Sequence, residues 1–234
     1  MAPLRNSRTV KPRTRLERVL SNWGFRGKTA KKLLENRRKD REAYQGKRPD
    51  YPVFSGLEEY SRMFGRELVN VVQERLEHEP VANVLEISAG AGNLLKELKQ
   101  RFGKQVRTVA TGLTRPPNTR GIDKYRVYRF SKSKRKPLMQ GQFDVLVCVS
   151  GELQAMRIRE IKENVLRLLK VGGSAFIDLG ATIPHHQGKL KELVWEAENE
   201  IQKTGEFKVV NTLHRKPKEI QMEEVTLMEI RRMR

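Results

Sequence analysis

Cysteine is almost absent from this sequence of 234 residues: Cys148 is the only one, and a disulfide-stapled scaffold is therefore excluded. With one thiol and four scattered histidines, the sequence also predicts no structural zinc site and no other metal centre. No run approaches the roughly 18 apolar positions that a membrane-spanning helix needs, so we expect no membrane partner. No apolar stretch follows Met1, which predicts no secretory signal and favours a cytoplasmic protein.

Acidic side chains are missing from the first 16 residues, which carry five arginines and lysines. Organelle transit peptides have this composition, and so do arms that bind nucleic acid. The composition leaves both interpretations open, and an organelle therefore remains an alternative to the cytoplasm.

Over the whole chain, 28 acidic residues face 48 lysines and arginines, which gives a net charge of +20. Two segments hold nearly all of the excess, since residues 1–50 have a net charge of +11 and residues 115–136 a net charge of +8. Clustered positive charge favours a polyanion as partner, because binding releases condensed counterions. A solubilising surface or a disordered tail is the alternative. The candidate RNA-binding residues are Arg13, Arg15, Arg26, Lys28, Lys31, Lys32, Arg37, Arg38, Lys132, Lys134, Arg135 and Lys136.

Two parts are predicted along the chain, a basic and partly disordered helical extension over residues 1–50 and an α/β domain over residues 51–234. Apolar spacing in the second part predicts helices over 57–78, from the glycine turn to about 102, over 152–169 and over 188–204. The predicted strands are 83–88, 105–113, 125–130, 143–150, 174–179, 207–213 and 225–231. This alternation predicts a doubly wound seven-stranded sheet, closed at one edge by an antiparallel pair that contains the last strand.

The turn after the first predicted strand reads Glu86-Ile87-Ser88-Ala89-Gly90-Ala91-Gly92-Asn93. Sheets of this type bind ligands beyond the carboxyl ends of their strands. The two glycines let the backbone approach a ligand closely, and free N–H groups at the helix start face it. A dinucleotide site has a further glycine three positions later, where this chain has Leu95, and NAD or FAD is therefore disfavoured.

The spacing Glu86-x-Ser88-x-Gly90-x-Gly92 resembles the first motif of the class I S-adenosylmethionine-dependent methyltransferases, acidic-x-G-x-G-x-G. Residues 143–147 resemble the fourth-strand motif of that family, and residues 165–173 resemble its L-K-P-G-G motif with Val171 in place of proline. The resemblance covers residues 57–232 and implies a Rossmann-like methyltransferase fold that binds S-adenosyl-L-methionine. The cofactor-binding residues that it implies are Glu86, Ser88, Ala89, Gly90, Gly92, Thr111, Gly112 and Ser150.

The end of the second strand departs from the family, because residues 110–114 contain no acid to accept the two ribose hydroxyls. A hydrogen bond to a charged acceptor contributes on the order of 1.5–3 kcal/mol, so its loss weakens binding roughly 10- to 100-fold. Thr111 and Asp123 are the candidates for a partial replacement. The alternative is a relic site that no longer binds the cofactor.

No catalytic motif of the family follows the fourth strand, where the chain reads Ser150-Gly151-Glu152-Leu153. Glu152 is the candidate general base, and its alternative role is to stabilise the start of the next helix. Cys148 lies inside an apolar strand and is predicted to be a core residue and not a nucleophile.

A second, shorter resemblance lies in the basic extension, where residues 15–20, 24–25 and 29–34 are similar to the opening helix-turn-helix of the S4 RNA-binding domain. That family presents basic side chains to structured RNA. Its following β-hairpin has no counterpart here, because residues 37–44 are charged and helical in pattern. A short basic pair of amphipathic helices explains the same residues equally well.

Two functional hypotheses follow. The first is an S-adenosylmethionine-dependent methyltransferase that acts on structured RNA, either rRNA or tRNA. The second is a catalytically silent methyltransferase-like protein that binds RNA or associates with the ribosome. A small-molecule methyltransferase with a basic tail is a third interpretation, and it explains the charge distribution poorly.

Overall fold

The computed structural model describes residues 56–112, 115–116, 118–128, 130, 138, 140–149, 153, 156–179, 190–215 and 225–234. All of these residues belong to one compact unit. The basic extension over residues 1–50 and its S4-like segment lie outside the described residues, and they stay predictions together with the domain boundary at residue 50. None of the helices in the described part of the chain has the length and hydropathy of a membrane span.

A seven-stranded sheet forms the centre of the described unit. Its strands are β1 (Ala82–Glu86), β2 (Val106–Gly112), β3 (Lys124–Val127), β4 (Phe143–Cys148), β5 (Leu169–Asp178), β6 (Phe207–Arg215) and β7 (Val225–Arg232). The strand order is β3-β2-β1-β4-β5-β7-β6, and β7 lies antiparallel between β5 and β6. The predicted seven-stranded α/β sheet with its antiparallel last strand is therefore confirmed.

Helices cover both faces of the sheet. Neighbouring side chains along each strand point to opposite faces, and both faces carry apolar side chains that the helices bury. One face packs against α1 (Leu57–Phe64), α2 (Leu68–Leu76) and α3 (Asn93–Phe102), and the other against α4 (Ile158–Asn164) and α5 (Leu190–Gln202). In β1, for example, Val84 belongs to the first layer and Leu85 to the second. Every residue of β4 is buried, as expected for a central strand with both faces covered.

The single helix predicted over residues 57–78 is wrong in one respect, because the structure has two helices there. Gly65 ends α1 with a left-handed φ of 62°, and its N–H donates to the Arg62 carbonyl. The chain then turns, and the Leu68 N–H at the start of α2 donates to the Ser61 hydroxyl. The apolar positions keep a helical spacing across this break, so periodicity alone does not reveal it.

The region between β4 and β5 also differs from the prediction. The helix expected over residues 152–169 is shorter, since α4 ends at Asn164 and a 3-10 turn, Leu166–Leu168, leads into β5. The strand predicted over 174–179 begins earlier, at Leu169, so the glycine pair at 172–173 lies inside β5. There the pairing with β4 shifts from Phe143 opposite Leu169 to Val145 opposite Ser174, which makes a bulge.

Candidate active site

The candidate site lies at the carboxyl ends of β1 and β2, beside the turn that joins β1 to α3. The neighbours β1 and β4 mark the point where the strand order reverses, because β2 and β3 continue in one direction and β5 in the other. Ligands of doubly wound sheets bind at such a point. The predicted glycine turn is located there.

Three residues of this turn adopt left-handed backbone conformations, with φ angles of 58° at Ser88, 54° at Gly90 and 66° at Gly92. Ser88 was predicted to end the strand, but β1 stops at Glu86 and Ser88 belongs to the turn. It is the only non-glycine residue with a positive φ in the described ranges. Such strained positions gather at functional sites.

Hydrogen bonds tie the turn to its neighbours. The Ala89 N–H donates to the Thr111 carbonyl at 2.9 Å, and the Tyr125 hydroxyl donates to the Gly90 carbonyl at 3.2 Å. A Cβ on Gly92 would lie 2.4 Å from the Ile122 side chain, so this position has room only for glycine unless Ile122 moves. The loop before β3 and β3 itself therefore support the glycine turn from one side.

Glu86 is the last residue of β1, and its carboxyl group is buried beneath this turn. It is 1% exposed, and the Tyr60 hydroxyl of α1 donates a 2.7 Å hydrogen bond to its Oε1. Burial raises the pKa of Glu86 to about 8, against the opposing effects of the Tyr60 hydrogen bond and the Lys96 charge. Within the described residues, its second oxygen, Oε2, has no hydrogen-bond partner.

Thr111 occupies the neighbouring strand end. Ala110 is the register partner of Glu86 across β1 and β2, and Thr111 is the next residue along β2. Its side chain is 1% exposed, and Oγ1 finds no hydrogen-bond partner in the described part of the molecule. Because side chains alternate along a strand, the Thr111 side chain points to the opposite face of the sheet from that of Glu86. Buried polar atoms in native proteins are nearly always paired, so each of these two strand ends offers an unpaired polar atom to a ligand.

No protein-family model and no curated protein matches the sequence. Solved structures do match the fold. The 1,6-didemethyltoxoflavin-N1-methyltransferase of Burkholderia thailandensis, solved with 1,6-didemethyltoxoflavin and S-adenosylhomocysteine, is 15% identical, with a TM-score of 0.51 over 87% of this chain and 89% of that chain. The carbon methyltransferase CurJ is 13% identical, with a TM-score of 0.52 over 90% of this chain and 72% of that chain.

The chain has the class I methyltransferase fold. The fold that the sequence resemblance implies is thereby confirmed. In this methyltransferase fold, Glu86 and Ser88 to Gly92 stand at the end of the first strand and in the turn after it, where the motif placed them.

Asp123 does not replace the acid that the methyltransferase motif has at the end of the second strand. Its Oδ2 accepts hydrogen bonds from the Thr108 N–H, the Thr108 hydroxyl and the Lys99 ammonium at 2.8, 3.1 and 2.8 Å. Burial acts to raise the pKa of Asp123, but these bonds outweigh it and hold that pKa below its usual value. Thr108 precedes Thr111 by three residues, or about 10 Å of strand, so Asp123 serves the middle of β2.

Several residues predicted for the site lie outside the described residues. They are Ser150, Glu152, Lys132, Lys134, Arg135 and Lys136, and their roles stay predictions. Cys148, the last residue of β4, is fully buried, which confirms that it is a core residue. Of the basic segment 115–136, the side chains of Arg115, Arg120 and Lys124 are described and exposed. They carry positive charge along the edge of the methyltransferase fold that β3 forms.

Tyr60 and Tyr125 contact the site, and the sequence did not indicate either of them. Tyr60 occupies one of the apolar positions of a helix, which is what any core residue does. Tyr125 follows a loop and lies 35 residues from the glycine that it contacts. A polar aromatic side chain near a predicted strand or at an apolar helix position is only a weak signal, because most such side chains pack in cores.

Proposed function

We propose that the protein is an S-adenosylmethionine-dependent methyltransferase that acts on RNA. One observation carries the cofactor part of this proposal. Two buried polar atoms, Glu86 Oε2 and Thr111 Oγ1, lack hydrogen-bond partners among the described residues, and they lie on opposite faces of the two strand ends beside the glycine turn of a methyltransferase fold. A carboxylate suits the ammonium group of S-adenosyl-L-methionine, and a hydroxyl suits one of its hydroxyl groups.

Each part of the site has a role in holding the cofactor. The left-handed turn from Ser88 to Gly92 exposes backbone to the amino-acid end of the cofactor, and Gly112 ends β2 beside it. The bound cofactor supplies a methyl group on a sulfonium, which a nucleophile takes by in-line displacement. For this chemistry the protein mainly provides proximity and alignment. Ser150 and the general base Glu152 follow β4 in the sequence and complete the proposed site.

RNA is the proposed substrate because of where the basic segments join the sheet. In parallel strands, the chain leaves each strand at the same edge. The chain enters residues 113–117 from the end of β2 and the basic run 129–136 from the end of β3, both at the edge that carries the glycine turn. Exposed Arg115, Arg120 and Lys124 add to this charge. A phosphate backbone that follows it arrives next to the methyl donor.

A transfer assay tests the reaction directly. The full chain is incubated with S-adenosylmethionine labelled in the methyl group and with bulk tRNA or deproteinised rRNA. We expect label in one RNA class, and we expect Glu86→Ala to lose most of it. Label that enters a small-molecule fraction and never RNA would contradict the RNA substrate.

A silent RNA-binding factor is the second candidate. It is favoured by the uncharged Thr111 at the end of β2, where Asp123 gives no replacement for the missing acid. In that case RNA binds with the expected salt dependence, whereas neither S-adenosylmethionine nor its demethylated product binds.

Replacing four basic residues tests the RNA contact. We expect the change of Lys132, Lys134, Arg135 and Lys136 to glutamine to reduce the slope of log affinity against log salt by about 3–4, since each phosphate contact contributes roughly 0.9. A matched control neutralises four exposed basic residues far from β3, namely Arg157, Arg159, Lys203 and Lys208. Equal slopes for the two variants in filter-binding titrations would contradict the proposed surface.

Thr111→Val separates the effect of the Thr111 hydroxyl on stability from its proposed effect on cofactor binding. Valine removes an unpaired buried hydroxyl, so we expect the cofactor-free protein to gain about 1 kcal/mol of unfolding free energy. The same change removes a hydrogen bond to the cofactor, and affinity falls roughly 5-fold. Urea denaturation and calorimetry measure the two effects.

Thr108→Val is the matched control in the same strand. The Thr108 hydroxyl bonds both the side chain and the N–H of Asp123, so this variant loses stability and keeps its cofactor affinity. If Thr111→Val also lost stability, the Thr111 hydroxyl would have a partner of its own within the protein.

A further inference from the structure

The contact between Tyr60 and Glu86 joins the first helix to the glycine turn through a hydrogen bond that is buried at both ends. The two side chains are 4% and 1% exposed, and their oxygens lie 2.7 Å apart. The helix that carries Tyr60 is fixed at its start, because Glu97 of α3 accepts the Leu57 N–H at 2.7 Å. At its end, the ring of Phe64 meets that of Phe176 edge-on, with 5.3 Å between centroids. Tyr60 is therefore held against Glu86 by the packing of α1.

Little positive charge faces the buried carboxyl group. Lys96 of α3 is the cation that acts on Glu86, and it forms no ion pair with Glu86 within the described part of the chain. The other ionisable groups around the pair, Glu59 of α1 and Cys148 of β4, act on Tyr60, and both disfavour its ionisation. Among the described residues, a carboxylate at this position has one hydrogen bond and no ion pair, which makes its charge costly.

We propose that Glu86 carries a proton while the site is empty and releases it when the ammonium group of the cofactor binds at Oε2, with Tyr60 as the residue that positions the carboxyl group. This inference rests on the proposed function. The reaction balances with one proton: the neutral acid and the ammonium ion give a carboxylate–ammonium pair, and the proton passes to the buffer. Burial supports this assignment, because it raises the pKa of Glu86 to about 8, above the pH of most cellular compartments.

Binding is therefore coupled to pH. Below a pKa of about 8, the population of the carboxylate form falls about tenfold for each unit by which the pH falls. Affinity for a ligand with an ammonium group therefore rises about tenfold from pH 6 to pH 7. Ligands without that group gain nothing from the carboxylate. The site consequently discriminates in favour of an adenosyl ligand that carries the amino-acid group over one that lacks it, and the discrimination grows with pH.

Calorimetry with the full chain measures the proton directly. S-adenosylhomocysteine is titrated at pH 7 in buffers of different ionisation enthalpy, and the slope of the observed enthalpy gives the number of protons released. We expect about 0.9 protons for a pKa near 8. 5′-Methylthioadenosine, which has the same nucleoside and a thioether but no amino acid, releases none, and neither does S-adenosylhomocysteine on Glu86→Gln. Tight binding of S-adenosylhomocysteine with a zero slope would overturn the proton release and leave the proposed function standing.

Tyr60→Phe tests the positioning role. The tyrosine hydrogen bond favours the carboxylate, so its removal shifts the midpoint of the affinity–pH curve to higher pH. A purely structural role would lower the affinity equally at every pH, and a parallel curve would therefore contradict the positioning role.

Infrared spectroscopy covers the case in which no ligand binds. The difference spectrum between the unmodified chain and Glu86→Gln at pH 7 contains a protonated-carboxyl band if Glu86 holds a proton in the empty protein. Failure of S-adenosylhomocysteine to bind would remove the proposed function, whereas absence of this band would overturn the proton itself.

Discussion

Replacing Gly173 with alanine is expected to lower the unfolding free energy by about 3 kcal/mol. Gly173 lies in the bulge of β5, where a Cβ would stand 2.9 Å from the Lys170 carbonyl oxygen, 3.0 Å from that of Phe143 and 3.1 Å from that of Asp144. All three are backbone atoms of the two central strands, so they cannot move aside as a flexible side chain does. Urea denaturation of the full chain measures the loss.

Gly103→Ala is the control for this substitution. Nothing lies within 4 Å of the position that its Cβ would take, and only its backbone conformation, with φ 56° and ψ −123°, opposes the change. Residues with a Cβ rarely adopt that conformation, and it costs an alanine on the order of 1–3 kcal/mol. Gly173 has no positive φ, so its expected loss comes from crowding alone, whereas that of Gly103 comes from conformation alone. If Gly173→Ala lost no stability, the crowding in the β4–β5 bulge would have no energetic weight.

The second large effect concerns pH. The pKa of Glu86 is about 8 in the folded protein and near 4.5 in the unfolded chain, so the folded protein binds more protons between these values. Stability therefore falls as pH rises through this window. From pH 5 to pH 8, we expect the unmodified chain to lose roughly 3–4 kcal/mol more unfolding free energy than Glu86→Gln, which cannot titrate.

Denaturant titrations at several pH values measure this difference, and all other ionisable groups cancel between the two proteins. Glutamine keeps the acceptor that Tyr60 uses, so the comparison isolates the proton. Parallel stability curves would mean that Glu86 titrates near its ordinary pKa, in contact with water. The proposed RNA contact plays no part in this test.

Strand patterns were the most predictable part of the fold. The apolar run at 143–150 predicted a strand, and β4, which spans Phe143–Cys148 of that run, is buried along its whole length. Breaks inside regular patterns were not predictable, because Gly65 interrupts a helix whose apolar spacing continues on the other side. The same holds for Gly172 and Gly173, since a glycine pair ordinarily marks a turn and only strand pairing shows it to be a bulge.

The site was predictable only where one stretch of sequence contains it. Glu86 and the glycine turn are contiguous, and a spacing motif finds them. Tyr60 reaches Glu86 from 26 residues away through the packing of a helix, which no local pattern contains. Asp123 illustrates the converse, because it is near the end of β2 in the sequence, whereas hydrogen bonds place it beside Thr108. A contact between a helix and a strand decides the first case, and a contact between β2 and the residue just before β3 decides the second.

Binding of S-adenosylhomocysteine to the full chain tests the central claim most directly, which is that the strand ends around Glu86 and Thr111 hold an adenosyl amino acid. Isothermal titration at pH 7.5 is expected to show one site, with affinity at least tenfold weaker in Glu86→Ala, since a charged hydrogen bond contributes about 1.5–3 kcal/mol. Asp123→Asn is the control. This variant is expected to bind S-adenosylhomocysteine with unchanged affinity, because the Asp123 carboxylate accepts hydrogen bonds from Thr108 in the middle of β2. Absence of heat at millimolar ligand, or equal affinity of Glu86→Ala and the unmodified chain, would contradict the account.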